Sequence, residues 1–329
     1  MSKPKVAFYW CASCGGCEEA VVDLAEGILP VVEAVDIVFW PVALDFKRAD
    51  LEAMEDGAIV ASFINGAIRT SEQEEMAHLL RQKSQILVAF GACSHLGGVP
   101  GLANLFTREE ILRFVYHDAP TVSDGPLYPQ ETWEAPEGRL ELPRFAEVVR
   151  ALDQVVPVDY YLPGCPPPVE LVENAVAAIL KGELPARGSV LAPDVALCES
   201  CPRRASKPER LSLQELRRPH QVLIDQETCL LAQGLLCMGP ATRSGCGAAC
   251  VVGNMPCTGC MGPTSRVLDQ GAKALSGLAS LFEAKTPAEV EHILAGVPDP
   301  VGTLYRYSVP ASLLAVARKE VSHEPHGGH

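Results

Sequence analysis

The first half of the chain alternates short apolar runs with amphipathic stretches. Five apolar runs predict β-strands, at residues 5–10, 35–39, 57–63, 86–90 and 158–162. The amphipathic stretches predict helices at residues 18–27, 50–55, 71–83, 107–116, 143–152 and 169–181. The helix at 71–83 is expected to begin with Ser71 as its N-cap and Glu74 in a capping box. Strands that alternate with helices in this way form βαβ units and a parallel sheet.

The hydrophobic pattern changes after Gly182. Residues 197–263 contain eight cysteines, many glycines and prolines, and few apolar runs. Such a segment cannot build a conventional core, but metal clusters can supply the cross-links. Helices are predicted again at residues 266–281 and 287–294, whereas residues 118–138 are expected to be an irregular loop. We therefore predict an α/β fold: a flavodoxin-like, doubly wound parallel sheet over residues 1–185, then a loop-rich cluster domain with C-terminal helices over residues 186–329.

Composition and charge restrict the classes of function. The chain has no apolar run long enough to cross a membrane and no secretory signal at its N-terminus, so we expect a cytoplasmic protein. Its net charge of −14 argues against binding to nucleic acid, which depends on Lys and Arg. In a reducing compartment, thirteen cysteines indicate metal or redox chemistry rather than disulfides. The segment 323–329, which contains three histidines, is interpreted as a flexible terminus, with a metal site as the alternative.

Five cysteines follow predicted strands. Cys11, Cys14 and Cys17 lie on the turn after the first strand, Cys93 follows the fourth, and Cys165 follows the fifth. In an open α/β sheet, the carboxyl ends of the strands are where ligands bind. Thiolates are soft ligands that select iron–sulfur clusters, zinc or Cu(I). The pairs Cys11/Cys14 and Cys14/Cys17 have the same spacing, so spacing alone does not choose between them. Cys11 is the odd thirteenth cysteine, and we assign it a packing role.

The remaining eight cysteines form two sets of four in the second domain. They are Cys198-x2-Cys201, Cys229-x7-Cys237, Cys246-x3-Cys250 and Cys257-x2-Cys260. Zinc sites also use four cysteines and Cys-x-x-Cys pairs, but zinc ribbons usually place two such pairs in one compact unit. The uneven spacing here favours iron–sulfur clusters, and a zinc-stabilised scaffold is the non-enzymatic alternative.

The motifs of the first domain resemble those of a known family. Cys14-Gly15-Gly16-Cys17-Glu18, Gly91-Ala92-Cys93 and Gly164-Cys165-Pro166-Pro167 are similar to motifs in the small subunit of [NiFe] hydrogenases and in the related small iron–sulfur subunit of respiratory complex I. The resemblance implies that Cys14, Cys17, Cys93 and Cys165 hold a proximal [4Fe–4S] cluster, near which a large subunit docks. Complex I relatives usually have adjacent cysteines in the first motif and end after this domain, so both departures favour hydrogenase.

Glu18 matches the acidic residue that follows the second cysteine in cytoplasmic members of that family. Two interpretations stay open. The carboxyl group relays protons or tunes the potential of the cluster, or it is a carboxylate favoured by the helix dipole.

The second domain resembles the C-terminal half of hydrogenase small subunits. The resemblance implies a distal cluster on Cys198, Cys201, Cys229 and Cys237, and a medial cluster on Cys246, Cys250, Cys257 and Cys260. Periplasmic hydrogenases have a histidine as the first distal ligand and only three medial thiolates. This chain departs from both, which suggests two further [4Fe–4S] clusters. The partition stays open, because Cys250 can be exchanged with a neighbour.

Residues 234–243 and 255–263 resemble segments of the cytoplasmic methyl-viologen-reducing hydrogenases of methanogens and their bacterial relatives. That family implies an electron relay through three [4Fe–4S] clusters, from a nickel–iron site in the large subunit to an acceptor. The acceptor would be a [2Fe–2S] or flavin subunit, such as that of a heterodisulfide reductase complex. A complex I-like module that passes electrons to quinone or a diaphorase is the alternative. Arg203, Arg204 and Arg243 are interpreted as solvated charges or as partners of anionic clusters.

Overall fold

The computed structural model describes residues 3–123 and 127–314, and it contains ten strands and twelve α-helices in those ranges. The strands are β1 (Lys5–Trp10), β2 (Asp36–Phe39), β3 (Ile59–Asn65), β4 (Ile68–Thr70), β5 (Ser84–Phe90), β6 (Thr132–Ala135), β7 (Gly138–Glu141), β8 (Phe145–Arg150), β9 (Tyr160–Leu162) and β10 (Ser189–Val190). The helices of the first part are α1 (Gly16–Val22), α2 (Ile28–Ala34), α3 (Arg48–Glu52), α4 (Ser71–Lys83), α5 (Ala92–Leu96), α6 (Arg108–Arg113) and α7 (Val169–Lys181). Those of the second part are α8 (Leu197–Ser200), α9 (Ala249–Val252), α10 (Gln270–Ala279), α11 (Pro287–Ala295) and α12 (Pro300–Leu304).

Six of the strands form one parallel sheet in the order β10-β9-β5-β3-β1-β2. If only these six strands are counted, in the order in which they occur along the chain, their order across the sheet from the β2 edge is 2-1-3-4-5-6. This is the flavodoxin order, in which the direction of winding reverses between β1 and β3. The predicted flavodoxin-like sheet is confirmed, and all five predicted strands belong to it.

The two faces of the sheet bury separate apolar layers, because successive side chains of a strand point to opposite sides. On one face, Phe8 stacks on Phe63 with ring centroids 5.1 Å apart, under helices α1 and α7. On the other face, Ile64 and Leu87 pack with Leu80 of α4. Both layers are buried, as the run of apolar residues in each central strand requires.

The N-cap of helix α4 lies one residue earlier than predicted. It is Thr70, whose Oγ1 accepts a hydrogen bond from the Gln73 backbone N–H, while the Gln73 side chain accepts from the Thr70 N–H. Ser71 and Glu74 were therefore the wrong capping pair. Glu74 instead receives two hydrogen bonds from Arg150, the shorter of 2.6 Å.

The prediction of a helix at residues 143–152 is wrong. Phe145–Arg150 form β8, which pairs antiparallel with β4 outside the main sheet. The side chain of Asn104 fixes this strand, because its amide donates to the Val149 carbonyl at 2.9 Å and accepts from the Val149 N–H at 2.7 Å. Two adjacent β-branched residues, Val148 and Val149, suit the extended backbone. The contact with Asn104 then favours a strand over a helix here.

Other predicted boundaries move by a few residues. The loop predicted at 118–138 ends in the hairpin of β6 and β7, so its last part was wrong. The helix predicted at 107–116 is α6 followed by a π-helical turn at Phe114–Asp118, and the helix predicted at 266–281 is the shorter α10. No helix in the described ranges is long and apolar enough to span a membrane. The histidine-containing residues 323–329 lie outside the described residues.

The second part of the chain has little regular structure and packs directly on the first. Its core contains Leu235, Met238 and Leu278, with the buried side chain of Cys257 among them. Met261 is buried in the apolar layer of the sheet under α1 and α7, so the two parts share a continuous interior.

Candidate functional site

Four cysteines meet at the carboxyl edge of the sheet. Strand β3 lies between β1 and β5, yet the turns after β1, β5 and β9 reach across it and bring Cys14, Cys17, Cys93 and Cys165 together. Burial raises the pKa of the Cys17 thiol, and the charges of Cys93, Cys165 and Cys14 raise it further. Burial also raises the pKa of Cys93 to about 12, with Cys165 and Cys14 adding to the shift. Thiols that raise one another's pKa lie within electrostatic range.

Two glycines leave the space that these sulfur atoms occupy. A Cβ at Gly91 would lie 2.3 Å from Cys17 Sγ, and a Cβ at Gly98 would lie 2.4 Å from Cys93 Sγ. Both residues also have positive φ, at +85° and +59°. The backbone therefore forms a close-fitting wall around sulfur, and only glycine is compatible with it.

Cys11 is separated from this group. Its side chain is 5% exposed and packs in the apolar layer that contains Leu51 and Ile64, on the other face of the sheet from Cys17. Burial raises the pKa of its thiol. This environment is that of a small hydrophobic residue, in agreement with the predicted packing role.

Glu18 is buried beside Cys17 and has specific partners. Its carboxylate accepts hydrogen bonds from Trp40 Nε1 and Asn65 Nδ2. Burial raises the pKa of Glu18, and these two hydrogen bonds oppose the shift. Asn65 ends β3, and its Oδ1 accepts a hydrogen bond from Ser13 Oγ at 2.9 Å. The carboxyl group thus belongs to a buried polar network under the turn that carries Cys14.

A second group contains Cys198, Cys201, Cys229 and Cys237. Burial raises the pKa of Cys198 to about 11, Cys237 raises it further, and Lys207 lowers it. A Cβ at Gly239 would lie 3.4 Å from Cys198 Sγ and 3.6 Å from Cys237 Sγ, so these two sulfur atoms face the same small space. The main-chain N–H groups of Gly239 and Cys257 donate to the Cys237 thiol.

A third group contains Cys246, Cys250, Cys257 and Cys260, and it lies between the other two. Burial raises the pKa of Cys260 to about 12, and the charges of Cys165, Cys246 and Cys250 contribute. A main-chain hydrogen bond from Cys165 also reaches the Cys260 thiol. At the other end, Cys257 lies within electrostatic range of Cys237. The three groups therefore form a series, in which the third group links the first to the second.

No three Cys, His, Asp or Glu side chains in the described ranges are arranged to hold a single metal ion. The donor chemistry of each group nevertheless suits a cluster, because the thiolates of a [4Fe–4S] cluster bind four different iron atoms rather than converge on one. Each group has a thiol whose pKa burial raises to about 11 or 12: Cys93, which is buried, and Cys198 and Cys260, which are partly buried. Iron supplies the positive charge that allows such thiols to ionise.

Buried side chains that donate to main-chain carbonyls brace the cysteine loops. Arg203 is 5% exposed and donates to the carbonyls of Thr228 and Val251, which precede Cys229 and follow Cys250. Arg243 is 3% exposed, donates to carbonyls of residues 192, 193 and 263, and pairs with Asp194 at 2.9 Å. The interpretation of these two as solvated charges was wrong. Arg204 is exposed and pairs with Glu199.

His95 has a place in the site that the sequence did not reveal. Its ring lies 4.7 Å from the Tyr161 ring and close to Gly262, between the loops of Cys93 and Cys260. Burial lowers the pKa of His95 to about 3, and Arg243 contributes to the shift, so the ring is neutral. The signal available in the sequence was its position two residues after Cys93.

Comparison with known proteins identifies the context of these cysteines. The family model described as "NADH ubiquinone oxidoreductase, 20 Kd subunit" matches residues 14–179. The iron–sulfur subunit of the F420-non-reducing hydrogenase of Archaeoglobus profundus is 39% identical over 315 residues, which cover 94% of this chain and 97% of that protein. The chain belongs to this family of hydrogenase subunits. The corresponding F420-non-reducing hydrogenase subunit of Methanothermobacter marburgensis is 36% identical over 97% of this chain and 98% of its own length.

Membership in the hydrogenase small subunits confirms the predicted resemblance. The [NiFeSe] hydrogenase from Desulfovibrio vulgaris Hildenborough aligns with 80% of this chain and 94% of its own at 17% identity and a TM-score of 0.52, which supports the shared fold. Hydrogenase small subunits carry iron–sulfur clusters and work with a large subunit. This small subunit is therefore part of an oxidoreductase complex whose active site lies in the partner subunit.

Proposed function

We propose that the chain binds three [4Fe–4S] clusters and conducts electrons from dihydrogen, oxidised in the large subunit, to an acceptor protein. The observation that carries this proposal is the spatial order of the three cysteine groups. Cys165 lies next to Cys260, and Cys257 lies next to Cys237. A continuous series of thiols thus runs from the sheet edge through the medial group to the distal group.

The proposed ligands of the three clusters are the cysteines that were predicted from the sequence. The proximal site uses Cys14, Cys17, Cys93 and Cys165, the medial site Cys246, Cys250, Cys257 and Cys260, and the distal site Cys198, Cys201, Cys229 and Cys237. When bound, the clusters supply one-electron transfer. The protein positions the sulfur atoms and donates hydrogen bonds to them, as Gly239 N–H does to Cys237 and Gly259 N–H to Cys257. Such donors favour the more negative, reduced state.

The two ends of the series open at different surfaces. At the proximal end Cys14 and Cys165 are exposed beside Trp10, which is 38% exposed. This edge is the proposed contact with the large subunit. At the distal end Cys237 lines a cavity of about 240 Å³ whose rim contains Lys207 and Lys273. We propose that electrons leave at this cavity to a [2Fe–2S] or flavin subunit, such as that of a heterodisulfide reductase complex.

Glu18 is proposed to serve the proximal site through its buried network. The carboxyl group lies beside Cys17, and burial raises its pKa, while its hydrogen bonds oppose the shift. Its hydrogen bonds from Trp40 and Asn65 hold it in place. A proton relay or a tuning of potential would both use this position.

Metal content and spectroscopy of the complex test the relay. The chain is purified anaerobically with its large subunit, analysed for metals and examined by EPR after exposure to dihydrogen. We expect about twelve iron atoms from this chain, nickel in the partner, and signals of reduced [4Fe–4S] clusters. Iron without nickel and without reduction by dihydrogen would favour the complex I-like module. Zinc without iron would contradict both electron-transfer functions and support the non-enzymatic alternative, a zinc-stabilised scaffold.

Alanine substitutions at Cys11 and Cys14 separate packing from ligation. We expect Cys14→Ala to remove about four iron atoms, because a [4Fe–4S] cluster loses one of its four ligands. Cys11→Ala removes only a buried sulfur and is expected to keep all the iron, with a loss of stability of about 1 kcal/mol. Iron analysis and anaerobic denaturation of the two variants check both expectations, and iron loss from Cys11→Ala would contradict the assignment.

A further inference from the structure

A second cavity reaches two of the medial cysteines, Cys250 and Cys257, and its lining also includes Leu236 and Met238 on either side of the proposed distal ligand Cys237. It has a volume of about 370 Å³ and lies between residues 217–220, the loop after α9, and the end of α12. We call it the basic groove, and define it by Arg217, Arg218, His220, Arg306, Cys250 and Cys257, which all line it.

The charge of the groove is opposite to that of the chain. The whole protein carries 41 acidic and 27 basic side chains, with a net charge of −14. Three arginines and a histidine line the groove, and none of its lining residues within the described ranges is Asp or Glu. Arg217 is partly neutralised by Glu215. Arg218 and His220 are exposed, and the Arg306 Nε donates to the Gly302 carbonyl at 3.2 Å. A positive potential therefore faces the solvent here.

Two proposed medial ligands, Cys250 and Cys257, line the groove. Cys250 is exposed and Cys257 is buried, and Met255, which is 48% exposed, lines the same cavity. The Met255 N–H donates a hydrogen bond to the Cys250 carbonyl at 2.8 Å. A partner seated in the groove would thus contact the protein surface immediately beside the medial site.

We infer that the basic groove is the docking surface of an acidic electron-carrier protein that exchanges electrons with the medial site. This inference rests on the proposed function, because it needs a cluster at Cys246, Cys250, Cys257 and Cys260. One electron would pass from a reduced cluster at the medial site, which is thereby oxidised, to the carrier, which is reduced, and no bond forms or breaks. The groove thereby provides a branch in the relay, in addition to the exit at Lys207 and Lys273. Charge complementarity identifies the partner as acidic.

Binding of a defined probe tests the inference. The probe is a bacterial two-[4Fe–4S] ferredoxin of negative net charge, and the receptor is the anaerobic complex with its large subunit. We expect Arg218→Glu to weaken binding by about tenfold at about 50 mM salt, and the difference to vanish at about 500 mM salt. Arg218→Lys, which keeps the charge, should bind within about twofold of the native complex.

Arg139→Glu is the matched control, because it makes the same charge change on the exposed β6–β7 hairpin of the first domain. Equal weakening by Arg139→Glu and Arg218→Glu would show a general charge effect and overturn the inference. A loss confined to Lys207→Glu/Lys273→Glu would also overturn it and leave only the distal exit. Displacement of the ferredoxin is also measured with inorganic pyrophosphate. If pyrophosphate binds the native groove and Arg218→Glu affects that binding alone, the groove is a small-anion site and the inference is wrong.

The binding measurement needs no dihydrogen, so its failure is distinct from failure of the relay. If EPR shows no reduction of any cluster by dihydrogen, the proposed function fails. If the clusters are reduced but Arg218→Glu binds ferredoxin like the native complex, the relay stands and only the docking surface is wrong.

Discussion

Replacing Gly91 by alanine is expected to abolish the proximal site. The new Cβ would lie 2.3 Å from Cys17 Sγ, and the residue would have to keep a φ of +85°. Neither strain can relax easily, because Gly91 follows the central strand β5 and its N–H donates to the Leu162 carbonyl at 2.8 Å. We expect the variant to lose about four iron atoms, and dihydrogen to stop reducing the clusters that remain. Iron analysis and EPR measure the two effects.

Gly188→Ala separates the effect of the positive φ from the effect of the contact with Cys17 Sγ. Gly188 has the same φ of +85°, but no atom lies within 4 Å of the position that a Cβ would occupy there. Its substitution should cost about 1 kcal/mol of stability and no iron. If Gly91→Ala kept its full iron content, the close packing of Gly91 against Cys17 would not be needed for the site.

Replacing Asp159 by alanine is expected to give the largest loss of stability in the first domain. The buried carboxylate accepts hydrogen bonds from Arg81 and Arg187, each at 2.6 Å, and from the Leu87 N–H at 2.8 Å. Removing it leaves the half-buried Arg81 and a buried N–H without this acceptor. We expect the free energy of unfolding to fall by about 3 kcal/mol, as measured by anaerobic chemical denaturation.

Asp56→Ala provides the comparison. Asp56 pairs with Lys83 at 3.0 Å, but its side chain is 61% exposed, so water can replace much of the interaction. Its loss should cost much less than the loss of Asp159. A similar cost for both variants would mean that the burial of Asp159 adds nothing to the pair.

The central sheet could be predicted because its signal is local. Each strand is a short run of apolar residues such as Ile86–Phe90, and the order of strands follows from the βαβ pattern. Strand β8 could not be predicted, because its backbone is fixed by β4 and by Asn104, more than forty residues away. The α4 cap was missed by one residue because Thr70 and Ser71 are both good N-caps, and the choice depends on the turn out of β4.

The proximal cysteines could be placed together because parallel strands bring their carboxyl ends to one edge, whereas the other eight were grouped by their number, spacing and resemblance. The sequence contained no comparable signal for the residues that support them. Arg203 acts through carbonyls that lie 25 and 48 positions away along the chain. The basic groove joins residues 217–220 to Arg306, so its charge is concentrated only after folding. Long-range contacts of this kind leave no periodicity in a single sequence.

The loop after Cys93 is held by the last part of the described chain. A Cβ at Gly97 would lie 2.2 Å from Pro310, and the Gly98 N–H donates to the Tyr307 carbonyl at 3.0 Å. A ribosome makes Cys93 long before it makes Tyr307 and Pro310. The wall around this thiol is therefore incomplete until residues 307–310 have been translated. Iron delivery to the proximal site should accordingly follow the synthesis of residues 307–310, and a truncated product that lacks these residues should be a poor recipient.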